Sequence, residues 1–175
     1  MDRWRIAAWG AAALILVLPL VAMQFTDEVN WDAADFAFAA ILIVGTGTAF
    51  ELAARRSSNA PYRAAMGFAV VAAFLLVWMN AAVGIIGSED NPANLMYVAV
   101  LAVAIIGAAL ARLKPQGMTL VLVATAFTQL AVGAIALSFG LGSPHSEGVE
   151  ILGLTGLFAG LWLMSAWLFR RAVQG

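Results

Sequence analysis

The chain has 175 residues, of which 63% are hydrophobic and 11% are charged, and it contains no cysteine. Soluble globular domains carry about 25% charged and about 45–50% apolar residues, so this composition cannot cover a surface that faces water. Together with the net charge of −1, it excludes a soluble enzyme, a disulfide-stabilised secreted module, a zinc–cysteine domain and a nucleic-acid-binding protein, and it predicts a chain that lies in a lipid bilayer.

Six apolar stretches are long enough to cross the hydrocarbon core of a bilayer, which takes about 20 helical residues. In chain order, the predicted spans are residues 6–23, 33–54, 64–86, 93–111, 118–139 and 151–169. The first is interpreted as a retained helix rather than a signal peptide, because it is longer than a typical signal-peptide core and no Ala-x-Ala site follows it. The short connections predict a single all-α domain over residues 1–175, built from three consecutive helical hairpins.

The charged residues predict how these spans are oriented. All lysines and arginines flank the same ends of the spans: Arg3, Arg5, Arg55, Arg56, Arg63, Arg112, Lys114, Arg170 and Arg171. Nearly all of the acidic residues lie in the other connections. By the positive-inside rule, both termini are expected in the cytoplasm and the acidic loops outside, which requires an even number of spans.

The predicted spans contain few polar side chains. Asn80 in the third span and Thr125, Thr128 and Gln129 in the fifth form a candidate intramembrane cluster, and the last three share one helix face by their spacing. They are interpreted either as interhelical hydrogen-bonding residues or as the lining of a small polar pathway. The sequence places no ionisable residue at mid-depth, which disfavours a proton-coupled pump.

The connections expected outside carry a candidate cation site. Its members are Asp27, Glu28, Asp32, Asp35, Glu89, Asp90, Asn91 and Asn94. Hard cations such as Ca²⁺ bind carboxylate and amide oxygens, but the chain has no EF-hand spacing. Helix capping and solvated acidic turns explain the same residues. The sequence therefore identifies no catalytic residue and no resident metal, and it leaves the cofactor unknown.

Glycines in three of the spans indicate close helix packing. The candidates are Gly45 in the second span, Gly84 and Gly87 in the third, and Gly153, Gly156 and Gly160 in the sixth. Small residues let helix backbones approach closely, which is a main source of helix association in lipid. These positions are therefore interpreted as packing surfaces rather than as ligand sites.

The most distinctive motifs are residues 25–31 (FTDEVNW), 35–36 (DF) and 83–97 (VGIIGSEDNPANLMY), with basic motifs at residues 54–56 (ARR) and 167–171 (WLFRR). In these segments the chain resembles an uncharacterised family of small bacterial polytopic membrane proteins. The resemblance implies an integral protein of the bacterial inner membrane. It implies no activity, and it carries no functional residue over to this chain.

Three functions agree with these features. The favoured one is a non-catalytic accessory or assembly subunit, whose glycine faces and acidic outer loops contact other membrane subunits or a second copy. The first alternative is a small transporter or channel that uses the polar cluster and an acidic outer vestibule. The second is a membrane protein that binds a lipid, a quinone or a pigment, with Trp78 and Trp162 as deep aromatic contacts.

Overall fold

The computed structural model describes residues 3–26 and 29–174, with side chains from Trp9 onwards. Its helices are α1 (Arg3–Ala22), α2 (Ala33–Arg56), α3 (Ala60–Ala82), α4 (Met96–Leu110), α5 (Pro115–Ser138) and α6 (Gly148–Gln174), and a 3₁₀ turn over Pro92–Leu95 precedes α4. The described residues contain no strand, so the prediction of an all-α fold is confirmed.

Five helices, α2 to α6, are long and apolar enough to cross a membrane, with the 3₁₀ turn extending the fourth span to Pro92–Leu110. In α1, the part with described side chains is a shorter apolar helix, Trp9–Ala22. This architecture is that of an integral membrane protein. The sixth span and the cytoplasmic position of the termini stay predictions.

The bounds of α3 differ from the predicted span of residues 64–86. The helix begins at Ala60 because the Asn59 side chain accepts a hydrogen bond from the Tyr62 N–H at 3.2 Å. It ends at Ala82, and shortly afterwards Gly84 has a φ of +72°. That left-handed conformation favours glycine and ends the helix although the apolar sequence continues.

The chain divides into two compact units, residues 1–51 and 52–175. In the smaller unit, the Trp9 Nε1 donates to the Glu51 Oε2 at 3.4 Å, so the beginning of α1 meets the far end of α2. A Cβ added at Gly47 would lie 3.0 Å from the Trp9 ring, so glycine makes room for the indole. These contacts agree with the first predicted hairpin.

In the larger unit, α6 packs between α3 and α5, and α4 packs against α5. The Ser165 hydroxyl donates to the Ala65 carbonyl at 2.7 Å, which joins the end of α6 to the beginning of α3 in an antiparallel pair. The predicted hairpin of α3 with α4 is therefore wrong, since the main partner of α3 is α6. The long connection of residues 83–95 allows α4 to lie across the bundle from α3.

The larger unit has a basic end, formed by residues 52–63, 111–117 and 169–174. Here the Arg56 Nη1 donates to the Arg112 carbonyl at 3.3 Å, and the Tyr62 hydroxyl donates to the Leu113 carbonyl at 3.1 Å. Tyr62 also contacts Phe169 with ring centroids 5.3 Å apart. Three basic segments of the sequence thus lie at one end of the unit, as their charges predict.

Candidate functional site

At the opposite end of the larger unit, the connection between α3 and α4 is organised around the amide group of Asn94. Its Oδ1 accepts hydrogen bonds from the N–H groups of Ile85 at 3.1 Å and Ile86 at 2.9 Å. Its Nδ2 donates to the carbonyls of Ile86 at 3.3 Å and Ser88 at 2.8 Å. One side chain therefore satisfies four backbone groups beside two buried isoleucines.

Asn91 and Ser146 join this connection to the one between α5 and α6. The Asn91 Oδ1 accepts from the Ala93 N–H at 2.9 Å, which caps the 3₁₀ turn, and its Nδ2 donates to the Leu141 carbonyl at 2.8 Å. The Ser146 hydroxyl accepts from the Gly87 N–H at 3.1 Å and donates to the Gly87 carbonyl at 3.2 Å. The polar residues of this end thus hold the two loops together.

The carboxylates of the candidate cation site have structural roles or lie in solvent. The Asp32 Oδ1 accepts from the N–H groups of Ala34 at 2.7 Å and Asp35 at 3.0 Å, and the Asp35 Oδ2 accepts from the Asp32 N–H at 2.9 Å. This reciprocal capping begins α2. In the larger unit, Glu89 and Asp90 are exposed.

The remaining members, Asp27 and Glu28, lie outside the described residues. Among the residues that are described, no group of three or more histidine, aspartate or glutamate side chains is placed to hold a metal ion. In addition, the amide oxygens of Asn91 and Asn94 already accept backbone hydrogen bonds. The outer cation site therefore stays a prediction.

The structure corrects the interpretation of the glycines. Gly84 and Gly87 lie beyond α3 with φ values of +72° and +76°, so they form the turn and not a helix surface. A Cβ added at any of four helical glycines would meet no atom within 4 Å: Gly45, Gly153, Gly156 and Gly160. Each of these expected packing surfaces is therefore open within its own unit.

Other glycines make the close helix contacts. A Cβ added at Gly107 would lie 2.6 Å from a methyl group of Val121, and one at Gly117 would lie 2.7 Å from the Ala111 side chain. At Gly133 an added Cβ would overlap with the Thr155 side chain. These glycines are isolated in the sequence, which is why a search for glycine stripes does not find them.

Only part of the predicted intramembrane cluster comes together. Thr125 and Gln129 are fully buried in the core of the bundle. Thr128 lies at the edge of that face, where its hydroxyl donates to the Ala124 carbonyl of its own helix at 3.0 Å. The Asn80 amide similarly donates to the Leu76 carbonyl one turn earlier in α3, at 2.7 Å.

The structure adds buried polar groups that the sequence reasoning missed. Tyr97 of α4 is 2% exposed and Thr155 of α6 is 4% exposed, and their hydroxyl-bearing side chains lie beside each other. Trp162 of α6, an expected deep aromatic residue, is 1% exposed. A single threonine in a span and a tyrosine near a predicted span boundary form no sequence pattern that would reveal that they are buried together. We call Tyr97, Gln129, Thr155 and Trp162 the core polar group.

The hydroxyls of Tyr97 and Thr155 interact with each other and make no other hydrogen bond among the described residues. Both amide atoms of Gln129 and the indole nitrogen of Trp162 have no hydrogen-bond partner in the part of the chain that the structure describes. Burying a polar group without a partner is costly, and most buried polar groups in proteins are hydrogen-bonded. The core polar group is therefore the main chemical feature of the bundle interior.

Comparison with known proteins transfers no activity to this geometry. No protein-family model matches the chain, and no curated protein or solved structure matches it significantly.

Proposed function

We propose that the protein is a non-catalytic integral membrane protein that acts by binding another transmembrane helix, as an accessory or assembly subunit or by self-association. The observation that carries this proposal is the open face of α6, formed by Gly153, Gly156 and Gly160. All three are exposed, and a Cβ at any of them would meet no atom within 4 Å. Backbone at such a face is accessible to a second helix.

The surroundings of this open face are apolar. Leu152, Leu157, Leu163 and Met164 are 61%, 52%, 45% and 45% exposed and flank the glycines. Small residues between large apolar ones form a groove into which the side chains of a facing helix fit. The buried side of α6 is already occupied by α3 and α5, so the glycine face supports a contact outside this unit.

The depth of the face supports a partner that spans the membrane. Near the basic end of α6, the Arg171 guanidinium lies over the Trp167 ring at 4.0 Å from its centroid. Tryptophan and arginine residues of this kind are typical of a membrane–water interface. The glycines lie between this position and the beginning of α6 at Gly148, and we expect this part of the helix to lie in the hydrocarbon region.

The proposed setting is the bacterial inner membrane, with the basic end in the cytoplasm and the acidic connections outside. It is supported by the resemblance of the motifs and by the positive-inside rule. The grouping of Arg56 and Arg112 at one end of the larger unit agrees with the orientation.

Substituting Gly156→Leu and Gly160→Leu together is expected to weaken the association by about tenfold or more, which corresponds to about 1.4 kcal/mol. The leucines fill the groove and keep the two helix backbones apart. The measurement is native mass spectrometry of the tagged protein, extracted gently from its own membrane. Other polypeptides in stoichiometric amounts identify a subunit, and a homo-oligomer identifies self-association.

The matched control is Ala124→Leu with Ala131→Leu, which adds similar bulk at exposed positions of α5. This variant should retain the complex. A monomeric wild-type protein without partners, or a glycine variant that retains its complex, would contradict the proposal.

A second candidate function is transport of a small solute or ion, because Thr125 and Gln129 are fully buried within the bundle. In this case Asn80→Leu with Gln129→Leu should abolish flux in reconstituted liposomes, since both substitutions remove polar groups from the pathway. The double substitution at Gly156 and Gly160 should leave flux unchanged and serves as the control. Unchanged flux in the Asn80 and Gln129 variant would exclude this function.

A further inference from the structure

We propose that the core polar group binds small uncharged molecules that both donate and accept hydrogen bonds, either water or neutral solutes of similar size. The site lies inside the bundle and is independent of the helix partner proposed above. Gln129 and Trp162 present polar atoms without protein partners there, near the neighbouring hydroxyls of Tyr97 and Thr155.

The four side chains lie along one helix interface. Thr155 contacts the position of Gly133, which follows Gln129 by one turn of α5. Tyr97 lies beside Thr155, and Trp162 follows Thr155 by two turns on the buried face of α6. The helices α5 and α6 run antiparallel. Moving forward along α6 from Thr155 to Trp162 therefore follows the same direction as moving backward along α5 from Gly133 to Gln129. The group therefore extends over about 10 Å of helix.

The chemistry of the unpartnered atoms defines the ligand. The indole N–H of Trp162 can only donate, so the ligand must accept a hydrogen bond. The Gln129 Oε1 can only accept, so the ligand must also donate, and the hydroxyls of Tyr97 and Thr155 can do both. Nearby hydroxyls do not complete the group, since Thr125 donates to the Val121 carbonyl at 2.9 Å and Ser165 to the Ala65 carbonyl at 2.7 Å.

The surroundings favour a neutral ligand. Among the described residues, no charged side chain is buried; apart from tyrosines and Trp162, the buried polar side chains are Thr125, Gln129, Thr155 and Ser165. An ion inside a membrane bundle without an opposite charge pays a large desolvation cost. A neutral molecule avoids this cost and still satisfies the exposed dipoles of the group.

Buried apolar residues lie towards both ends of the bundle. Ile85 and Ile86 are buried beneath the connection held by Asn94. Towards the basic end, Leu122, Met118 and Phe169 are also buried. Burial at both ends favours molecules that are held in the interior.

The test uses the full-length protein labelled with ¹⁵N-glutamine in detergent micelles. Its glutamines are Gln24, Gln116, Gln129 and Gln174, of which all but Gln129 are exposed. The side-chain amide of Gln129 is assigned as the signal missing from Gln129→Met. We expect a nuclear Overhauser contact between this amide and water, and we expect Thr155→Val and Tyr97→Phe to weaken it. Thr128→Val, which changes a hydroxyl at the edge of the face, should leave it unchanged.

Two results support the proposal and two overturn it. A water contact that weakens in the Thr155 and Tyr97 variants identifies water as the ligand. A Gln129 signal without water contact that shifts on addition of urea or acetamide identifies a neutral solute. The proposal is overturned if the Gln129 signal shows no water contact and does not shift with urea or acetamide. It is also overturned if a water contact is present and neither Thr155→Val nor Tyr97→Phe weakens it. The absence of a ligand is visible in the wild-type protein, without the Thr155 and Tyr97 variants.

Discussion

Replacing Asn94 with alanine is expected to lower the free energy of unfolding by about 3 kcal/mol. The substitution removes the acceptor for the N–H groups of Ile85 and Ile86 and the donor to the Ile86 and Ser88 carbonyls. Leaving a buried donor or acceptor without a partner costs about 1–3 kcal/mol for each group, and water reaches some of these atoms in the variant. Thermal denaturation in detergent micelles measures the change.

Glu89→Ala and Asp90→Ala are the controls in the same connection. Both side chains are exposed, so each substitution should change stability by no more than about 0.5 kcal/mol. The comparison also separates two interpretations of Asn94. If Asn94→Ala were as stable as the wild type but lost a calcium-dependent stabilisation, Asn94 would be a cation ligand and not the centre of the turn.

Local signals predicted the beginnings of helices well. Helix capping was expected among the polar residues of the candidate cation site, with Asp90 or Asn91 at the fourth span. Asp32 caps α2, and Asn91 rather than Asp90 caps the 3₁₀ turn. These predictions succeed because a cap requires only a polar side chain at a short, fixed distance along the chain. The end of α3 was missed, because the apolar residues after Ala82 do not show that Gly84 has a positive φ.

Helix partners were not predictable in the same way. In a membrane, a helix is apolar on the side that faces lipid as well as on the side that faces its neighbours. The sequence therefore does not show that α3 packs against α6 and not against α4. The same ambiguity explains why Gly153, Gly156 and Gly160 were expected to be buried, whereas the buried face of α6 carries Thr155, Phe158 and Trp162.

The candidate site was predictable only where polar residues are rare and clustered. Thr125 and Gln129 are conspicuous in an apolar span, and they are buried as expected. Tyr97 and Thr155 belong to other helices, and their proximity depends on how these helices pack. Since packing in lipid is not readable from apolar periodicity, a site shared by α4, α5 and α6 could not be assembled from the sequence.

Replacing Gly133 with alanine is expected to destabilise the protein by about 2 kcal/mol. The new methyl group would overlap with the Thr155 Oγ1, and it would lie 2.5 Å from the Cγ2 and 3.0 Å from the Cβ of that residue. The two helices must then separate, and overpacking of this kind costs about 1–3 kcal/mol. The control Gly153→Ala has open space around the added Cβ, so it should be neutral or gain up to about 1 kcal/mol from helix propensity. Thermal denaturation in micelles compares the variants.

A double-mutant cycle with Thr155→Ala tests whether the contact with Thr155 causes this loss. Alanine at position 155 removes the Oγ1 and Cγ2 atoms that the new methyl group would meet, so it should restore about half or more of the lost stability in the Gly133→Ala background. If the stability losses of the two single variants simply add in the double variant, the strain does not come from the contact with Thr155. Thr155→Ala alone also separates packing from ligand binding, because a hydroxyl that pairs at most weakly with Tyr97 is removed at little cost. If Thr155 instead holds a bound molecule, this single variant should weaken the water or solute contact of Gln129 although the helices still fit together.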